Sequence, residues 1–101
     1  MNYTKHSNVW IYNTTQSIIR NSNEIIVDVF IHPSFLESYY FEMVDVLGCK
    51  YTNFTYDILA YDISTGIGKV SLSLKDKYRG VFFLSLKAQD NIHTKAIMIM
   101  D

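Results

Sequence analysis

The side chains able to do chemistry are few in this chain, and they are widely spaced. His6, His32 and His93 stand far apart, and none has a second ligand at the short spacing that metal sites use. Cys49 is the only cysteine, so no internal disulfide can form, and its surroundings read as those of a small, partly buried hydrophobe rather than a nucleophile. Acidic pairs at short spacing do not occur within one strand face, so a two-carboxylate hydrolase has no local support. Gly66-Ile67-Gly68-Lys69 has the residue types of a phosphate loop, without the full glycine spacing or the following helix that aims backbone N–H groups at phosphate. It reads as a hairpin turn. The expectation is a non-enzyme with no catalytic residue, no metal and no cofactor.

Composition narrows the partners. Nine Lys and Arg against ten Asp and Glu leave a net charge of −1, whereas a phosphate-binding surface needs a basic excess. The densest basic group, Lys75, Lys77 and Arg79, encloses Asp76 and reads as a solvated turn. Nucleic acid is therefore not an expected partner. No apolar run approaches the ~20 residues that span a bilayer, and Met1–Arg20 lacks the apolar core of a signal peptide, so membrane insertion is not expected. Asn2-Tyr3-Thr4, Asn13-Thr14-Thr15 and Asn53-Phe54-Thr55 match the glycosylation acceptor pattern at a frequency that chance supplies.

The elements that must position these residues are strands. At 101 residues the chain is one domain, 1–101, with Met1–Asn8 expected to fray. Half the residues are hydrophobic, and the many Tyr, Phe, Ile and Val suit a pleated, half-buried surface. Val9–Tyr12 and Ser17–Arg20 are short candidates separated by a turn at Asn13-Thr14-Thr15, and Asn21-Ser22-Asn23 reads as another turn. In Glu24–His32, Ile25, Val27, Val29 and Ile31 alternate onto one face, and Pro33 ends the strand. Tyr39–Val46 follows, with Val44 assigned to the core, and Cys49–Tyr56 is expected to return antiparallel. Asp57–Ile63, Lys69–Leu74, Val81–Gln89 and Thr94–Met100 complete the set, the last two joined by a turn at Asp90-Asn91. Pro33–Tyr39 has room for a single helical turn. Short strands with a turn every ten residues or so predict an all-β, immunoglobulin-like antiparallel β-sandwich of about seven strands. Trp10, Tyr12, Tyr39, Tyr40, Tyr51, Tyr56 and Tyr61 are too many for the core, and several gathered on one sheet face would form an interaction patch.

Four segments stand in order along residues 24–101: Glu24–His32; Tyr40–Gly48 with its Asp45-Val46-Leu47-Gly48 turn; Val70–Leu74 followed by Gly80–Leu86; and the terminal Thr94–Met100. In this ordered set the stretch resembles the C-terminal sorting domain of the type IX secretion system of Bacteroidetes. Asp45 and Gly48 bracket a tight turn in which glycine supplies φ > 0, and Gly80 lets the chain change direction as a strand begins. The chain departs from the family pattern at its first turn, where only Asn13 of a Pro-Asn-Pro motif is kept, and in carrying the single basic residue Lys95 where two are common. The resemblance implies a module without chemistry, read by secretion machinery in the periplasm and delivered to the cell surface or secreted. It places recognition at Thr94, Lys95, Ala96 and Ile97, with an exposed edge of the last hairpin open to strand addition. The alternative expectation is a free-standing interaction module, of the kind phages use on hosts, that docks an unknown binding protein through a Tyr-rich face. It would be cytoplasmic if Met1 is the native start.

Overall fold

The computed structural model describes residues 8–19, 22–75 and 79–100, and their side chains except at 17–19 and 22–23. The expected fraying before Asn8 and the residues Arg20, Asn21, Asp76, Lys77 and Asp101 lie outside the described residues. Among the described residues there are eight strands: β1 (Val9–Ile19), β2 (Ser22–Ile31), β3 (Tyr40–Asp45), β4 (Lys50–Tyr51), β5 (Phe54–Asp62), β6 (Ile67–Leu74), β7 (Gly80–Ala88) and β8 (Asn91–Ile99). Between β2 and β3, Pro33–Phe35 makes one 3-10 turn, the only helix among the described residues.

All pairings are antiparallel. They build one sheet in the order β1-β2-β6-β5 and a second in the order β4-β3-β7-β8. Lettering the strands A, B, C, C′, D, E, F and G along the chain gives A-B-E-D against C′-C-F-G, which is the immunoglobulin order. The chain crosses between sheets after β2, β4 and β6 and stays within a sheet at every other connection, so neighbours in sequence are mostly neighbours in space.

The period of two fills the space between the sheets. Ile25, Val27, Val29 and Ile31 of β2 and Val70, Leu72 and Leu74 of β6 meet Phe41 and Met43 of β3 and Phe82, Leu84, Leu86 and Ala88 of β7. Ile97 and Ile99 of β8 and Val9 and Ile11 of β1 close one side. Full burial of each such side chain stabilises the fold by about 1.5–3 kcal/mol. With no disulfide possible, packing between the sheets does all of this work.

The structure corrects several sequence expectations. Val9–Ile19 is one strand rather than two: the predicted break at Asn13-Thr14-Thr15 is absorbed by a bulge that leaves Tyr12 as the extra residue opposite β2. Ser22 and Asn23 pair with Ile19 and Ile18 instead of turning. Cys49–Tyr56 does not return as one strand: Lys50 and Tyr51 pair with β3, whereas Phe54 begins β5 in the other sheet. Val44 lies on the outer face and Met43 takes the core position, because both faces of that strand are apolar and the phase was ambiguous. Ser71, on the outer face of the first sheet, is covered there and donates to Glu24. The last hairpin turns at Gln89-Asp90, with Gln89 at φ +54° and Asn91 already paired to Ala88. Cys49 is exposed.

Candidate recognition surfaces

Asp45 and Gly48 act together as the sequence suggests. One carboxylate oxygen of Asp45 accepts from the N–H groups of Leu47 and Cys49, both at 2.9 Å. The Asp45 carbonyl accepts from Gly48 N–H at 3.0 Å, and Gly48 sits at φ +88°. The turn therefore lifts Val46 and Leu47 into solvent, with Leu47 84% exposed. Gly80 has φ +105° at the start of β7, the left-handed region that a side chain disfavours.

Thr94, Lys95, Ala96 and Ile97 do not form one surface. Alternation along β8 puts Thr94 and Ala96 on the outer face of the second sheet, leaves Lys95 half-buried, and buries Ile97 in the core. Nor is the edge of β8 open along its length. Beside it runs β1, tied on through side chains: Asn91 accepts from Asn8 N–H, His93 Nδ1 accepts from Ile11 N–H at 2.9 Å, and the Gln16 amide bonds both backbone groups of Met100. Gln16 thus imitates a peptide group and completes a strand pair. His93 also stacks on Trp10, with ring centroids 3.8 Å apart. Burial, and then Lys95, push the His93 imidazolium pKa below its usual value, which keeps Nδ1 an acceptor.

The outer face of the second sheet divides into two halves. At one end, Lys87 Nζ lies 2.6 Å from Glu42 Oε1 and Lys50 Nζ 3.4 Å from Oε2, while Ser85 and Thr94 share a hydrogen bond of 2.7 Å. The hydrogen bond from Lys87, aided by both lysine charges, holds the Glu42 carboxyl below its usual range, and the same bond raises Lys87. Toward the other end the described outward side chains of β3, β7 and β8 are apolar, with Lys50 of β4 pairing beside Val44. Strand register brings Val44, Phe83 and Ala96 into one row and Val81 and Met98 into the next. Phe83 is 37% and Met98 57% exposed, and Val46, Leu47 and Met100 extend the band at the same end of their strands. Sequence reasoning missed this band, although a signal was present: Val81–Leu84 and Ile97–Met100 are apolar on both faces, and a two-layer sandwich covers only one.

The aromatic residues do not gather into one outer face. Tyr39, Phe41, Phe54 and Tyr56 contact one another ring to ring between the sheets, at centroid separations of 5.2–6.2 Å. Tyr61 crosses over Gly68 to donate to the Ile31 carbonyl at 2.5 Å. Trp10 and Tyr12 lie on β1 and Tyr40 on β3. Gly68, half of the Gly-Ile-Gly-Lys motif, is a packing glycine: a Cβ there would stand 2.8 Å from the Ala60 carbonyl oxygen. Its neighbour Gly66 closes the turn at φ +80° beneath the Phe30 ring, and Lys69 pairs with Asp28 at 2.6 Å. Among the described residues no three of His, Cys, Asp and Glu come together as a ligand set, and no helix is long and apolar enough to cross a membrane. Comparison with protein-family models, with curated proteins and with solved structures returns no match.

Proposed function

We propose that this chain is a non-catalytic targeting module that presents the outer face of β3, β7 and β8 to a protein partner, in the manner of the type IX sorting domains it resembles. The observation that carries the reading is the uncharged band of Val81, Phe83, Ala96 and Met98, which lies on the same strands as the resemblance. An apolar patch rimmed by polar residues is the usual mark of a protein contact, and Glu42, Lys50 and Lys87 supply the rim at one end. Thr94 and Ala96, two of the residues singled out in the terminal strand, belong to this face; Lys95 and Ile97 do not. The alternative, a free-standing interaction module, uses the same band rather than a Tyr-rich face, because the tyrosines are dispersed.

The experiment is export of a fusion. The reporter is carried to the periplasm ahead of residues 1–101, in a bacterium with a working type IX system. The whole chain is used because β1 lies outside the resembling stretch 24–101 yet pairs along β2 and bonds β8. The reporter is expected at the surface or in the medium. A folded fusion that stays in the periplasm would refute the sorting reading and leave the interaction module.

A further inference from the structure

The two sides of the sandwich are closed to different degrees. On one side β1 and β8 are joined by the Asn8, Ile11 and Gln16 contacts described above. On the other side β5 faces β4, and β4 stops after two residues. β5 is nine residues long and, among the described residues, pairs with β6 alone. Where β4 fails to cover it, a cleft of about 230 Å³ opens between the sheets, lined by Phe41, Met43, Tyr51, Phe54 and Tyr56, with Glu42 and Lys50 at its rim.

We infer that this side takes up an extended peptide by strand addition to the Phe54–Ile58 half of β5. The peptide's inward side chains, apolar ones, fill the aromatic cleft, and a basic side chain on its outer face sits beside Asp57. Three observations fix this occupant. The segment before the bulge at Leu59 has regular register with β6, so its outward N–H and C=O groups form an even template for another strand. Its inward side chains Phe54 and Tyr56 line the cleft, so an added strand continues the pleat directly over it. From Tyr51 to Gly68 the chain carries Asp57 and Asp62 and no Lys or Arg, which favours a basic partner strand. A second copy of this chain fits less well: in an antiparallel β5–β5 pair about Ile58, Asp57 would meet Leu59 and Asp62 would meet Phe54, so neither carboxylate gains a cation.

The test is a titration of the isotope-labelled full chain, followed by NMR, with a synthetic peptide of about eight residues, a usual strand length. The peptide alternates Val or Phe with Lys or Thr. Saturable shifts are expected at the amides of Phe54–Ile58. They should vanish when alternate peptide amides are N-methylated, and weaken roughly five-fold when Glu replaces Lys, the scale of a reversed cross-strand pair. Asp57→Lys, at an exposed position, should reverse the order of the Lys and Glu peptides. Shifts on the Phe83 and Met98 face instead, equal binding by the N-methylated peptide, or β5 shifts that depend on protein concentration alone would each overturn the inference. Phe83 and Met98 do not line the cleft, so these outcomes leave the targeting proposal standing or falling by its own test.

Discussion

Asp45 holds its turn by accepting from the backbone N–H groups of Leu47 and Cys49, so its removal should be felt although the turn is exposed. Asp45→Ala is expected to cost about 1 kcal/mol, and Asp45→Asn, which keeps an acceptor, a good deal less; urea midpoints would check both. His93 makes an opposite kind of contribution, through the neutral form of its ring. Its folded pKa is lowered, first by burial and then by Lys95, so the unfolded chain takes up the proton first. The resulting stability is fully present above the ordinary imidazole value of about 6.5 and is lost as pH falls through that value toward the folded one. His93→Phe keeps an aromatic ring against Trp10 but removes the acceptor for Ile11, and should flatten this part of the stability–pH profile. Glu42 acts lower on the scale: its pKa is depressed by Lys87, so its contribution is present above the usual carboxylate range and disappears as pH falls through the folded value. Glu42→Gln should lower the urea midpoint at neutral pH and leave it unchanged in strong acid.

At the scale of elements, strand phase decides which substitutions are costly. Leu84→Ala on β7 should cost about 2–5 kcal/mol, and Met43→Ala should cost far more than Val44→Ala, since only Met43 points between the sheets. Denaturant unfolding of the three variants separates these cases. Much of this phase was legible: Val70 to Leu74 alternates cleanly with serines, and Ile25 to Ile31 and Phe82 to Ala88 each keep an unbroken apolar face although Ile26, Phe30 and Phe83 stand on the other. The Asp45–Gly48 turn and Gly80 were legible too, because φ > 0 restricts residue choice strongly. What was not legible depends on partners distant in sequence. Asn13-Thr14-Thr15 has local turn propensity, but pairing along the whole of β2 outweighs it and a bulge at Tyr12 takes up the misfit. Cys49–Tyr56 reads as one strand until tertiary pairing sends Lys50 to β3 and Phe54 to β6. The β1–β8 seam rests on Gln16, whose spacing from Met100 carries no pattern; Gln16→Ala should speed hydrogen exchange at Met100 while leaving the β7–β8 ladder protected.

For the whole molecule, the immunoglobulin order buries one face of each sheet and leaves the two outer faces to solvent. These differ in character. The first sheet mixes the Asp28–Lys69 and Glu24–Ser71 pairs with the outward row of Trp10, Phe30 and Ile67, whereas the second sets its ion pairs at one end and the Phe83 and Met98 band at the other. That asymmetry is why recognition is assigned to the second sheet, and why Ile97, in the core, contributes only by supporting β8. The most direct measurement is export of the reporter fusion bearing Phe83→Glu and Met98→Glu, beside a fusion bearing Lys95→Glu, with circular dichroism confirming that each stays folded. The account predicts that the face variant remains in the periplasm while the Lys95 variant is exported nearly as well as the parent. Export of the folded face variant at the parent's level would contradict it.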